Sequence, residues 1–411
     1  VIPTGHLLTK KAKRVLIYWR IWPAIMNEAT GLQAILKHYL PAYQQDHQLN
    51  PQQQKVCHHI QQCRTEQLGG LLQQCTHCGY ERPQYHSCRD RHCPQCQGQA
   101  QIAWSEQQLQ SVLPVNYFHL VFTLPHQLNG WVGRHPEVIY KSLFQSAWHT
   151  LDSFGHDPKR LNGTLGVTAV LHTWGQNLSR HVHLHCLVPG GALTEKGQWQ
   201  AAKSNYLFPV KAISRHFRGT MVSLLRAAAK HGKLHGITRA GEIDQILNSL
   251  MQIDWVVYTK AFLKHPETVV NYLARYSRKT ALNNSRLQRD EHNHIRLSYK
   301  DYRDHNRQKF MTLEGVELIR RFLLHVLPSG FMRIRHYGFL ANRCRQKKLQ
   351  QIRRALMQQP ANQGKNEQPS QNRFDHAKDY NNEESLSLCP ECQQGPLLII
   401  CEIAPKRLEY G

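Results

Sequence analysis

The stretch 181-HVHLHCLVPGG-191 restricts the fold of this chain more than any other feature, because three histidines alternate in it with apolar residues. In a β-strand, successive side chains point to opposite faces. The histidines at 181, 183 and 185 would therefore share one face, and the residues between them would pack on a core. The proline and two glycines that follow predict a turn. The pattern predicts a half-buried strand that presents imidazoles on its open face.

We predict that His183 and His185 bind a divalent metal, because imidazole is a common metal ligand. Such a pair leaves coordination positions open and needs a third ligand nearby. The candidates are His181 and Gln176, which the short turn 175–180 would fold back towards His183. The competing interpretation is a satisfied core histidine, which suits one such residue better than three in alternation.

A strong excess of positive charge predicts a polyanionic partner. The chain has 52 Lys and Arg against 28 Asp and Glu, and its formal net charge is +24. Nucleic acid is the commonest such partner, because each neutralised phosphate releases a counterion. A solvated basic surface and an anionic membrane are the alternatives. The sequence has no apolar run of eighteen residues and no GxxxxGK[ST] loop, which argues against a membrane span and an ATP motor.

Six of the twelve cysteines occur in three CxxC pairs, a spacing that is typical of metal binding in a reducing cytoplasm. Two such pairs lie fourteen residues apart. We expect them to bind one structural Zn²⁺ in a closed tetrahedral site, with the ligands Cys75, Cys78, Cys93 and Cys96.

Other cysteines and one histidine are surplus to this set. Cys88 and His92 could replace a ligand, or bind a second ion with Cys57, His58 or Cys63. Near the end of the chain, Cys389 and Cys392 form half a site, and Cys401 is a candidate third ligand. The sequence alone leaves the metal status of this tail open.

Two tyrosines downstream of the histidines are candidate nucleophiles. Tyr272 and Tyr276 are four residues apart, so on a helix they share one face. A tyrosine hydroxyl is a competent nucleophile where a metal or a cation stabilises the developing charge. Arg275, Arg278 and Lys279 flank the pair and are candidates for DNA binding. A pair of core aromatics is the competing interpretation, which the histidines and the net charge disfavour.

Hydrophobic periodicity predicts an α+β fold. Strands are predicted over 118–125, 165–174, 181–189 and 294–303. Helices are predicted over 29–47 and 137–154, within 211–231 and 240–251, from Pro266 to 277, and over 313–327. Residues 358–388 are rich in Gln, Asn and Glu, which predicts a disordered linker.

In chain order, these motifs resemble the two-tyrosine HUH transposases of the insertion sequence 91 family, relatives of rolling-circle replication initiators and Helitrons. Four stretches carry the resemblance: HSCRDRHCPQC (86–96), FHLVFTLP (118–125), HVHLHCLVPGG and YLARY (272–276). Two later stretches, KDYRDHNR and the segment 320–345, also resemble the family. The likeness spans about residues 57 to 345.

The resemblance implies an HUH endonuclease domain with a central antiparallel sheet flanked by helices, preceded by the zinc-binding module. His183 and His185 would bind Mg²⁺ or Mn²⁺. Tyr272 and Tyr276 would cleave single-stranded DNA, each through a 5′-phosphotyrosine that leaves a free 3′-OH. Lys279 would neutralise phosphate charge. The enzyme would be a single-strand DNA endonuclease and strand transferase for rolling-circle transposition.

The implied partners are single-stranded DNA at the element ends and the target site, with a host helicase as a further candidate and no membrane. We expect a cytoplasmic, nucleoid-associated bacterial protein; the sequence does not fix its oligomeric state. The expected segments are a helical and zinc-binding module (1–110), the HUH catalytic domain (111–300), a basic helical extension (301–357), the linker and a short CxxC tail (389–411).

Arg335 lies in a basic stretch, 331–357, which has eight Lys and Arg and no acidic residue. This stretch is predicted either to track a DNA strand or to form a solvated helix face. Two other functions compete with the transposase. One is a rolling-circle replication initiator or relaxase, which the preceding zinc module disfavours. The other is a non-catalytic zinc-dependent DNA-binding protein, which the intact histidine and tyrosine pairs disfavour.

Overall fold

The computed structural model describes residues 31–96, 111–203, 207–236, 241–263, 280–290, 292, 294–302, 304–358 and 388–406. For 261–263 it describes the backbone alone. The chain divides into two compact units. One contains residues up to 49 together with 282–320, and the other contains 50–281 together with 321–411.

The helices within the described ranges are α1 (Leu32–Asp46), α2 (Pro51–Gln62), α3 (Asn129–Arg134), α4 (Pro136–Gly155), α5 (Val210–Lys230), α6 (Glu242–Gln252), α7 (Gly315–Leu323) and α8 (Arg345–Gln358). Where described, the strands are β1 (Gly70–Cys75), β2 (Glu81–Tyr85), β3 (Tyr117–Thr123), β4 (Gly166–Trp174), β5 (Arg180–Pro189), β6 (Gly191–Leu193), β7 (Trp199–Ala201), β8 (Val257–Leu263), β9 (Leu287–Arg289), β10 (Ile295–Asp301), β11 (Arg307–Leu313), β12 (Ile334–Gly338) and β13 (Leu397–Ile403). None of these helices is both long enough and apolar enough to span a membrane.

The first unit combines helix α1 with an antiparallel sheet of order β11-β10-β9. The buried residues of α1 recur at three- and four-residue intervals, so they form one apolar face. The helix starts beside the β9 segment, where the Leu32 backbone N–H donates to the Asn284 side-chain oxygen at 3.1 Å. The predicted helix over 29–47 and strand over 294–303 are thus confirmed by α1 and β10.

The second unit is built on a five-stranded antiparallel sheet of order β12-β4-β5-β3-β8. Helices α4 and α5 cover one face with an apolar core, in which Phe122 of β3 contacts Phe217 of α5 at a ring-centroid distance of 4.9 Å. The strand β5, which carries the histidines, is central. The α+β class and the central antiparallel sheet are therefore confirmed. The edge strand β12 comes from the stretch expected to form a basic helical extension.

A second, smaller sheet in this unit has the order β13-β1-β2. Strands β1 and β2 form a hairpin in which Gly70 pairs with Tyr85 and Gln74 with Glu81. The tail strand β13 adds to the other side of β1, where Cys75 pairs with Leu397. The CxxC tail therefore belongs to the same sheet as the first cysteine pair.

Candidate metal centres and catalytic face

The central strand β5 separates an apolar face from a face that carries imidazoles, as the alternation predicts. Val182, Leu184 and Cys186 are buried in the core beneath α4 and α5. His183 and His185 are half-buried on the opposite face. The predicted half-buried strand is therefore confirmed.

The third imidazole on this face is His172 of β4, which the sequence analysis did not single out. One side-chain nitrogen from each of His172, His183 and His185 can be chosen so that the three lie within 4.8 Å of one another. His172 pairs directly with His183 across the β4–β5 ladder. The ring of His172 is buried and stacks on Trp174 with ring centroids 4.6 Å apart.

The alternation of β4, which places Val167, Ala169 and Leu171 in the core, puts His172 on this face, and a bulge in β5 aligns it with His183. Trp174 pairs with Arg180, but His172 pairs with His183, so two residues of β5 stand opposite Thr173. Without this extra residue, the register at Trp174 would place His172 opposite Val182 on the apolar face. A one-residue shift moves a side chain to the other face of a sheet. The bulge therefore decides that His183, and not Val182, pairs with His172.

Hydrogen bonds orient two of the three rings. Nδ1 of His183 lies 2.8 Å from the His181 carbonyl oxygen and donates to it, which leaves Nε2 as the free ligand atom. Nδ1 of His185 lies 2.8 Å from Nε2 of His119 on β3, and the two rings stack. A histidine that binds metal through one nitrogen usually donates its other N–H to a neighbour, which fixes the ring.

Burial favours the neutral form of His183, which is the form that binds a metal, and of its neighbour His119. It lowers the pKa of His183 to about 4, with a further contribution from nearby His181. It also lowers the pKa of His119 to about 4, helped by His183 and Lys260. At neutral pH, His119 can therefore accept the hydrogen bond from His185.

The two predicted third ligands lie near this group but are not among its three members. His181 is exposed; its carbonyl accepts the His183 hydrogen bond, and its ring lies 4.8 Å from that of His183, centroid to centroid. A role for its imidazole as a ligand remains a prediction. Gln176 is half-buried in the turn before β5. A role for its amide as a further ligand remains a prediction.

Side chains from outside the β4–β5 hairpin, His325 and Arg321, hold the turn that precedes β5. Leu178 is fully buried and has a left-handed backbone (φ 60°), which is rare for this residue type. Its carbonyl oxygen accepts from Nε2 of His325 at 3.0 Å, and Nδ1 of His325 lies 3.2 Å from the Thr173 hydroxyl. Arg321 donates to the Asn177 carbonyl. These contacts hold the bulged end of the hairpin.

The first cysteine cluster contains Cys63, Cys88, Cys93 and Cys96, whose sulfur atoms lie within 4.8 Å of one another. Cys63 ends helix α2, which starts at Asn50 with a capping box formed with Gln53. The Cys63 sulfur lies 3.5 Å from that of Cys96 and 3.6 Å from that of Cys93. These distances are too long for a disulfide and close to the ~3.8 Å edge of a tetrahedron with Zn–S bonds near 2.3 Å.

The second cluster contains Cys75, Cys78, Cys389 and Cys392, again within 4.8 Å of one another. The prediction that Cys75, Cys78, Cys93 and Cys96 share one ion is therefore wrong. Each CxxC pair supplies only half a site, and the fold gives each pair a different partner. Cys401 is exposed on β13 and belongs to neither cluster.

The additional candidate ligands Cys57, Cys63, Cys88 and His92 also differ in whether they belong to a cluster. Cys88 and Cys63 join the first cluster, whereas Cys57 is buried outside it and its pKa is raised by burial to about 12. Both ring nitrogens of His92 have partners: Nδ1 lies 3.0 Å from Asp90, and Nε2 accepts from the Leu327 N–H. His92 thus links the cysteine module to the segment before β12.

Of the remaining predicted site residues, the structure describes only Arg335. Tyr272, Tyr276, Arg275, Arg278 and Lys279 lie outside the described residues. Arg335 is described on β12, and its guanidinium stacks over the ring of Phe144 at 4.3 Å. The structure therefore gives Arg335 an intramolecular partner, and a role in DNA binding remains a prediction.

Comparison with known families is consistent with this arrangement. Residues 166–348 match a family described as "Putative transposase", and residues 35–124 match the transposase zinc-binding domain of the insertion sequence 91 family. The chain is 40% identical over 374 residues to "Putative transposase y4qJ" of Sinorhizobium fredii, covering 89% of this chain and 94% of that protein. The chain belongs to the insertion sequence 91 family of transposases.

A second relative of this transposase is "Transposase for insertion sequence element IS801" of Pseudomonas savastanoi pv. phaseolicola. The two are 29% identical over 295 residues, which cover 68% of each protein. No solved structure matches this transposase. The matched regions contain the three clustered histidines and the first cysteine cluster, whereas the tail cysteines lie beyond both family matches.

Proposed function

We propose that this transposase is a metal-dependent HUH endonuclease and strand transferase, which cuts and rejoins single-stranded DNA in rolling-circle transposition. The observation that carries the proposal is the group of three imidazoles on the face of the central sheet opposite the apolar core. Three ligands leave coordination positions for phosphate oxygens. A bound Mg²⁺ or Mn²⁺ supplies Lewis-acid polarisation of the scissile phosphate. Nitrogen donors suit Mn²⁺ better than Mg²⁺, which prefers oxygen.

We assign the role of nucleophile to Tyr272 and Tyr276 from the sequence. Their spacing of four residues would place both hydroxyls on one face of a helix, and Arg275, Arg278 and Lys279 could neutralise the charge that develops on the phosphate. The tyrosines follow β8 in the chain, and β8 pairs with β3 beside the histidine-bearing strand β5.

In the proposed chemistry, the energy of the cleaved phosphodiester bond is kept in a phosphotyrosine bond. The hydroxyl oxygen of one tyrosine attacks phosphorus, forming an O–P bond as its proton is lost. The bond from phosphorus to the 3′-oxygen breaks, and that oxygen takes up a proton. The resulting 5′-phosphotyrosine is attacked later by a 3′-OH in strand transfer. The second tyrosine allows a second cleavage, and no nucleotide hydrolysis is needed.

A covalent-adduct assay tests this proposal. The protein is incubated with labelled single-stranded oligonucleotides from the element ends, with Mn²⁺, with Mg²⁺ or with a chelator, and the products are separated on denaturing gels. We expect a metal-dependent adduct that is lost in the Tyr272→Phe/Tyr276→Phe double variant. The matched control is Tyr302→Phe, which changes an exposed tyrosine.

The two single variants identify the tyrosine that makes the first cleavage. If one single change abolishes the adduct, the tyrosine replaced in that variant is the initiating nucleophile. An adduct that persists in the double variant would contradict the assignment of the tyrosines. Absence of any adduct from folded protein that still binds the oligonucleotides would favour the non-catalytic DNA-binding function.

A further inference from the structure

We propose that Cys389 and Cys392 complete, with Cys75 and Cys78, a second structural Zn²⁺ site that fastens the tail to the N-terminal cysteine module. This inference goes beyond the proposed function and does not depend on DNA cleavage. The match to the zinc-binding domain ends at residue 124, so half of this ligand set comes from a distant part of the chain.

The four sulfur atoms have the separations of a tetrahedral site. The Cys75 sulfur lies 3.6 Å from that of Cys392, and the Cys78 sulfur lies 3.7 Å from that of Cys389. Both distances are near the ~3.8 Å edge expected for Zn–S bonds of 2.3 Å and far from a disulfide bond. The two CxxC pairs therefore face each other, with their four sulfur atoms around one possible metal position.

Both pairs lie in tight backbone turns that aim the sulfurs inward. In the first turn, the Gly79 N–H donates to the Cys75 carbonyl, and the His77 N–H points at the Cys75 sulfur at 3.4 Å. In the tail, the Gln393 N–H donates to the Cys389 carbonyl, which is the same turn geometry. A Cβ at Gly395 would lie 2.8 Å from the Cys75 sulfur, so the tail turn approaches the first turn closely.

The backbone between the two turns is also joined. The Thr76 N–H donates to the Pro396 carbonyl, and strand β13 then pairs with the whole of β1. Strand β13 is itself poor in buried side chains, since most of its residues are exposed. Little apolar burial is available to hold the tail, so the proposed ion supplies the main fastening.

Counting bound metal in the full-length protein tests the proposal. Purified variants are dialysed against a weak chelator, and zinc per chain is measured by mass spectrometry of the native protein. We expect Cys389→Ser/Cys392→Ser to lose one zinc ion relative to the unmodified protein. Cys75→Ser/Cys78→Ser should lose the same ion, so the four changes together should also cost only one.

A change in the first cluster distinguishes the two sites. Cys93→Ser/Cys96→Ser combined with the tail changes should cost two ions. The matched control is Cys401→Ser, an exposed cysteine on β13 that should leave the count unchanged. An unchanged count in the tail variant would overturn the proposal, because the tail would then hold no zinc.

Hydrogen exchange provides a readout that does not require the first-cluster variant to fold. In the tail double variant, amides of residues 397–403 should lose protection, whereas Cys401→Ser should retain it. Full protection of 397–403 in the tail variant would show that the ion does not fasten the tail and would overturn the proposal.

Discussion

The imidazole face and the cysteine module hold their candidate ligands in opposite ways. All three clustered histidines come from two adjacent strands joined by one turn, between His172 and His185. The second cysteine cluster brings residues 75–78 together with residues 389–392, and the tail strand β13 pairs with β1 beside them. One site depends on a local register, and the other depends on two distant parts of the chain meeting.

This difference determines how each site can fail. A register error in the β4–β5 hairpin would turn His172 to the other face while leaving the sheet intact. A lost cysteine pair would leave the hairpin β1–β2 in place and release the tail. The imidazole face should therefore depend on its three histidines and on the neighbours that hold them, His119 and His325.

The largest effect is expected for His172→Ala. Removing one of three ligands should reduce metal-dependent DNA cleavage on the order of a thousandfold, because the ion is expected to supply several kcal/mol of transition-state stabilisation. The measurement is the rate of adduct formation at saturating oligonucleotide, together with Mn²⁺ affinity from calorimetry. His181→Ala is the matched control and should retain most of the activity, since the carbonyl that accepts the His183 hydrogen bond is kept. If His181→Ala were the more damaging change, the ligand set proposed here would be wrong.

A smaller effect is expected at His119, which is proposed to position His185 through its ring nitrogen. His119→Phe should weaken Mn²⁺ binding about 10- to 100-fold, the usual cost of losing a partner of a metal-binding histidine. His119→Gln keeps a hydrogen-bond acceptor and should recover part of the affinity. Direct calorimetric titration of Mn²⁺ measures both variants. Equal loss in the two variants would indicate a packing role for His119 and no positioning role.

The smallest effect concerns the residue that fixes the turn before the bulge. Burial lowers the pKa of His325 to about 4, from an ordinary value near 6.5. The unfolded chain therefore binds a proton that the folded protein excludes. The free energy of unfolding therefore falls as the pH falls below 6.5, and the loss, up to about 3 kcal/mol, is complete below pH 4.

His325→Gln removes this titration, so its unfolding free energy should depend less steeply on pH between 6.5 and 4. Urea unfolding at a series of pH values measures the slope. The control is His126→Gln, which replaces an exposed histidine and should leave the slope unchanged. Identical slopes for His325→Gln and the unmodified protein would exclude His325 as a source of acid sensitivity.

The sequence predicted much of the fold because the relevant patterns are local. The strands β3, β4 and β5 and the helices α1, α4 and α5 follow from periodicity, and the two faces of β5 follow from alternation. The same alternation correctly placed His183 and His185 on one face, and their role as metal ligands remains a prediction.

His172 could not be found in this way. Its strand, GVTAVLHTW, is buried along almost its whole length, so burial gives no period that marks the face of the histidine. The bulge opposite Thr173 reverses the face that the turn alone would assign. A bulge of one residue has no clear signature in a single sequence.

The cysteine partners were missed for another physical reason. A CxxC pair specifies two ligands and a turn, but nothing in its spacing specifies the other two ligands. Proximity in sequence favoured Cys93 and Cys96 as partners of Cys75 and Cys78. The chain instead uses β13 as a partner for β1, which no local pattern indicates.

The pairing of β1 with β13 also has a consequence for biosynthesis. The two strands are more than three hundred residues apart in the chain, and proteins are synthesised at about 5–20 residues per second. One edge of β1 therefore stays unpaired for on the order of tens of seconds, until β13 has been synthesised and has left the ribosome. During this interval the edge is open to pairing with neighbouring chains. The nascent transposase is thus exposed to misassembly for most of its own translation.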